Sequence, residues 1–130
     1  MTEFAEVKTA DLLGAALDWA VAIAEGWESD RPQDGQLKMP WLSIDLRVVA
    51  GADRMVHPAN RFNPSTDWSQ GGPLIEKYRI DFAQYADQVE AFSQIRSPGS
   101  KGGTYLIAAC RAIVASVLGE TVSVPKELLL

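Results

Sequence analysis

Between Thr104 and Gly119 every residue except Arg111 and Ser116 is apolar. A helix that is apolar on all sides has no face to offer water, so this segment predicts the buried centre of a fold. Thr104 stands where an N-cap is needed and Gly119 where a helix stops. The run is too short and too rich in alanine for a membrane span, which needs ~18 or more consecutive apolar residues. Ala108, Ala112 and Ala115 form a thin face that lets a neighbour approach closely.

That neighbour is predicted near the start of the chain. The spacing of Leu12, Ala16, Trp19 and Ile23, continued by Leu13, Leu17, Ala20, Val21 and Ala24, predicts a helix from about Ala10 to Glu25 that is covered on most of its circumference. Thr9 is its expected N-cap, Asp11 complements the dipole in the first turn, and Gly26 ends it. Asp11, Asp18 and Glu25 form the one polar stripe, expected to face solvent.

The middle reads differently, because five of the seven prolines fall between Trp27 and Pro73 and proline favours turns and extended chain. Trp41 to Val49 alternates, with Leu42, Ile44, Leu46 and Val48 on one face, and predicts a strand. A shorter extended piece follows at Arg54 to His57, and a further strand is expected at Ile75 to Phe82. Gln88 to Ile95 is ambiguous between strand and helix and is assigned as strand. The expected architecture is α+β, with two long Ala-rich helices packed on a small antiparallel β-sheet, in one domain spanning residues 1–130.

Composition excludes several functions. One His57 and one Cys110 cannot build a four-ligand zinc site or an intrachain disulfide. No metal or other cofactor is expected. A net charge of −5 lacks the basic footprint of a nucleic-acid binder. The acidic N-terminus lacks the positive region of a signal peptide, so a cytoplasmic protein with no membrane partner is expected. Met1 to Gly26 carries one Lys against five acidic residues, so an anion site would have to arise from local geometry elsewhere.

Three segments are candidates for function. In Asn60 to Pro73, NRFNPSTDWSQGGP, a short helix is expected over Pro64 to Gln70, capped by Asn63 and stopped by Gly71, Gly72 and Pro73. Either Asn63, Ser65 and Asp67 cap this turn and Trp68 pins it to the core, or Ser65, Thr66, Asp67, Trp68 and Gln70 form a polar, aromatic-backed surface for a ligand or partner. In Ser97 to Thr104, SPGSKGGT, the glycines, Lys101 and the following helix N-terminus could hold an anion, although the order of residues is not that of a P-loop. The plainer expectation there is a flexible connector. Arg111 must pair or reach solvent, with Asp18, Glu25 or Asp67 as expected partners. Cys110 reads as a core residue, and His57, beside Pro58, makes no catalytic pair with it.

Ser65 to Lys77 (STDWSQGGPLIEK), Gly14 to Gly26 (GAALDWAVAIAEG) and Leu106 to Pro125 (LIAACRAIVASVLGETVSVP) together resemble the NinX-like proteins of tailed phages and prophages. The resemblance implies an accessory protein made inside a bacterial host and assigns no catalytic role to Asp18, Trp19, Asp67, Trp68, Gly71, Gly72, Pro73 or Arg111. The expected function is therefore non-enzymatic binding of a host protein or a small anionic ligand. Two alternatives stand beside it. One is a small hydrolase or transferase with Asp67 as base and Arg111 or Lys101 as anion holder, which requires Asp67 and Arg111 in one cleft. The other is a homo-oligomeric module assembled through Leu128, Leu129 and Leu130.

Overall fold

The structure, a computed structural model, describes residues 3–26, 28–31, 36–39, 42–45, 62–93 and 96–129. It is α+β: three α-helices, two three-stranded antiparallel sheets and a two-stranded ribbon among the described residues. No described helix is long and apolar enough to cross a membrane.

The ribbon joins the two ends of the chain. Strand β1 (Phe4–Lys8) runs antiparallel to β8 (Thr121–Pro125), in register from Phe4 opposite Pro125 to Lys8 opposite Thr121. Val122 and Val124 point into the core while Thr121 and Ser123 alternate outward.

Helix α1 spans Gly14–Ala24 and so begins later than the expected Ala10. Thr9 does not cap it. Its hydroxyl donates to Gly119 O at 2.6 Å and its N–H to Glu120 O at 2.8 Å, which places Thr9 to Asp11 in a separate 3-10 turn. Gly14, at φ +58°, sits where the chain changes course, a conformation that costs glycine little. From Ala16 to Ala22 every residue is buried, Asp18 included, so the expected solvated stripe is broken in the middle.

Helix α2 covers Trp68–Lys77, displaced from the expected Pro64 to Gln70. Asn63 O accepts from Thr66 N and Asp67 N in a turn, and Asp67 is the actual cap, accepting from Ser69 N at 2.9 Å. Gly71 and Gly72 do not stop the helix. A Cβ on Gly71 would stand 2.6 Å from both Leu106 Cδ2 and Pro64 O, so this glycine permits a close crossing. The expected strand from Ile75 likewise starts late: Leu74 and Tyr78, buried at helical spacing, belong to the helix and its end, and Arg79 at φ +52° turns the chain into a strand at Ile80.

That strand, β5 (Ile80–Gln84), pairs with β6 (Val89–Ser93), which pairs with β7 (Arg96–Gly102). The ambiguous Gln88 to Ile95 segment thus contains a strand, and the expected flexible connector from Ser97 is sheet up to Gly102. Its glycines serve packing: a Cβ on Gly99 would lie 2.7 Å from Phe92 Cε1, and one on Gly102 2.7 Å from Ala108 N. The remaining sheet is a meander of β2 (Glu28–Arg31), β3 (Gln36–Met39) and β4 (Leu42–Asp45). The described part of the expected Trp41 to Val49 strand is β4. The rest of it, the piece at Arg54 to His57, and Asn60 lie outside the described residues.

Helix α3 (Tyr105–Leu118) follows its expected bounds, with Thr104 Oγ1 accepting from Ile107 N at 3.1 Å and Gly119 at φ +98°. It packs on β6 and β7 on one side and on α1 on another. Leu17, Val21, Ile113 and Val114 are fully excluded from water, and each contributes about 1.5–3 kcal/mol through burial. Leu128 joins the same core, so part of the leucine tail is occupied within its own chain.

Candidate functional site

Most polar groups of the Asn63 to Gln70 loop hold one another. Gln70 Oε1 accepts from Asn63 N at 2.8 Å, and Gln70 Nε2 donates to Asn63 Oδ1 at 2.9 Å and to Asp67 Oδ2 at 3.1 Å. Ser69 Oγ donates to Asp67 Oδ1 at 2.6 Å. The Ser69 hydroxyl and N–H hold the Asp67 carboxyl below the usual carboxylate range, which suits a helix cap and not a base. This internal closure leaves Trp68 projecting, with 58% of its surface exposed.

Trp68 lines a groove of about 620 Å³ with Ser65 and Thr66. The facing residues come from the turn between β5 and β6, notably Tyr85, and from the first turn of α3, where Leu106 and Ile107 add apolar surface. Tyr85 is 49% exposed. Its hydroxyl donates to Glu90 Oε1 at 3.0 Å, and Lys101 Nζ stands 5.9 Å from its ring centroid. Tyr105 is fixed edge-on to Phe82, centroids 5.0 Å apart, and its hydroxyl donates to Gln84 Oε1 at 2.6 Å. Two exposed aromatic rings thus border one groove that Leu106 and Ile107 also line. Such anchors dominate recognition surfaces because they bury large area at small entropic cost.

A second groove, about 840 Å³, also meets this turn and is lined by Lys8, Lys101 and Arg111. Both grooves are bordered by Asp87, Gln88 and Gly103. Arg111 does not meet the carboxylates expected for it. Its Nε donates to Leu12 O at 2.9 Å and its Nη1 to Lys101 O at 2.8 Å. Burial lowers its pKa, against which Asp11 acts as a more distant charge. Of the nine residues singled out from the sequence, Ser65, Thr66 and Trp68 share the first groove and Lys101 and Arg111 the second. Asp67, Gln70, Gly71 and Gly72 line neither, so neither groove brings Asp67 and Arg111 together.

The remaining charged candidates have structural partners. Asp18 is 5% exposed and accepts from Ser65 N at 2.9 Å. Burial raises its pKa to about 6, and Ser65 only partly offsets this. The Ser65 hydroxyl eases that charge from nearby, yet it is buried with no partner in hydrogen-bonding geometry among the described residues. Glu25 accepts from Lys77 Nζ at 2.8 Å and from the Tyr78 hydroxyl. Burial pushes the Cys110 thiol up to about 12, with Asp18 adding repulsion, so no thiolate forms near neutral pH. Among the described residues no cluster of His, Cys, Asp and Glu could hold a metal ion.

Sequence reasoning missed Tyr85, Asp87, Gln88 and Lys8. The first three occupy a turn whose position depends on where β5 starts, and the strand had been expected to begin at Ile75. An aromatic followed by Ala and Asp between two alternating segments was the available signal.

Comparison with curated proteins finds no match. The family model described as "Bacteriophage P22, NinX" matches residues 8–117, from the end of β1 to the last turn of α3. The chain belongs to the bacteriophage P22 NinX family.

Proposed function

We propose that this phage accessory protein is a non-enzymatic binding protein that acts in the cytoplasm of the bacterial host and engages a host protein through the groove between Trp68 and Tyr85. The observation that carries this reading is the exposure of those two rings, 58% and 49%, on one groove lined also by Leu106 and Ile107. A partner's apolar or aromatic side chain entering there would cover surface that the fold leaves in water. The groups with chemical potential have other work: Asp67 caps α2, Cys110 is locked in the core as a thiol, and Arg111 clamps two carbonyls. Asp67, Gln70 and Gly71 act behind the groove, fixing the loop that presents Trp68.

The experiment is capture from host lysate by the wild-type chain and by Trp68→Ala and Tyr85→Ala, followed by reconstitution with the purified partner. A protein retained by the wild type and lost by both variants, with circular dichroism unchanged, is the expected result. Equal retention by all three would refute the reading.

A further inference from the structure

The second groove, not the aromatic one, has the charge arrangement of an anion site. Lys8 comes from the end of β1, Lys101 from β7 and Arg111 from the middle of α3, and all three line the same space. Gly102, Ala112 and Gly119 give it a low, open lining. Neither lysine makes an ion pair with another described residue. Arg111 is already oriented by its bonds to Leu12 O and Lys101 O, so little side-chain freedom would be lost on binding. Nε and one Nη1 N–H are committed to these carbonyls. The side chain remains a fixed cation with free N–H groups on its terminal nitrogens. Three cationic side chains from three separate elements thus border one groove, an arrangement that favours a doubly charged oxyanion such as phosphate over a singly charged one. Asp87 and Glu120 also border the groove, so three positive groups against two negative ones leave a formal +1. That balance admits a phosphate group while limiting its affinity.

From this geometry we infer that the groove formed by Lys8, Lys101 and Arg111 binds the phosphate group of a small phosphorylated molecule. The assignment does not rest on the proposed role of the aromatic groove, although the two grooves adjoin: Asp87, Gln88 and Gly103 border both, and Lys101 Nζ stands 5.9 Å from the Tyr85 ring centroid.

The test is NMR titration of the full chain with inorganic phosphate against sodium chloride of equal ionic strength, following the amides of Gly102, Gly103 and Gly119. Saturable shifts at these glycines with phosphate alone are expected. Lys101→Gln and Lys8→Gln should each weaken binding about fivefold, the scale of a largely exposed ion pair. Glu120→Gln should tighten it about twofold by removing an opposing charge. All three positions are exposed, and unchanged melting temperatures would show that the fold is intact. Equal shifts with chloride, stronger shifts with succinate than with phosphate, or affinities unaltered by the lysine substitutions would each overturn the assignment.

Discussion

The carboxylate of Asp18, in the middle of α1, accepts a hydrogen bond from the backbone N–H of Ser65 at 2.9 Å and so ties the buried helix to the loop that presents Trp68. One hydrogen bond does not offset the burial of this charge. The folded-state pKa is raised to about 6 from 3.8, so the folded protein holds the proton more tightly than the unfolded chain. The corresponding stability is fully present below about pH 4 and is lost as pH rises through about 6. The loss amounts to about 3 kcal/mol.

Asp18→Asn should abolish that pH dependence. The new amide oxygen can still accept from Ser65 N, and its nitrogen can donate to the Ser65 hydroxyl, which has no partner among the described residues. Urea unfolding at pH 4 and pH 8 should show the wild type less stable at pH 8, and the variant nearly equal at both. A wild type more stable at pH 8 would contradict the assignment of Asp18 as a desolvated carboxyl.

The adjacent glycines of α2 should respond with opposite signs. Gly71→Ala puts a methyl 2.6 Å from Leu106 Cδ2 and Pro64 O, and overpacking of this kind costs about 1–3 kcal/mol. Gly72 has nothing within 4 Å of an added Cβ, so Gly72→Ala should stabilise the helix by about 0.5–1 kcal/mol. Thermal melts of both variants decide this. Destabilisation by both would mean that the pair acts as a break in the helix.

Arg111→Lys should not substitute for arginine. A lysine presents one ammonium and cannot reach Leu12 O and Lys101 O with the same planar fork. Loss of one such charged hydrogen bond at a half-buried site costs about 1.5–3 kcal/mol. Wild-type stability in the variant would show that the clamp contributes nothing.

Legibility in the sequence followed the range of the interactions involved. Helix α3 could be read end to end because Thr104, Gly119 and the apolar run between them are local signals that agree. Helix α1 was misread at its start because Thr9 bonds to Gly119 and Glu120, far away in sequence. The glycines of α2 and β7 looked like stops and flexibility, yet they mark close approaches that only the folded partner reveals. At the site, the exposed ring of Trp68 could be read from its polar loop only as one of two alternatives, the other being a ring pinned to the core. The partners of Arg111 could not, because backbone carbonyls have no residue-type signature.

The central claim is that the surface between Trp68 and Tyr85 is where a partner binds. Hydrogen exchange of the chain, alone and bound to the host protein it captures, measures this most directly. The account predicts slowed exchange at the amides of Thr66 to Trp68 and Tyr85 to Val89. Slowed exchange confined to the β1–β8 ribbon, with both of those segments unchanged, would contradict it.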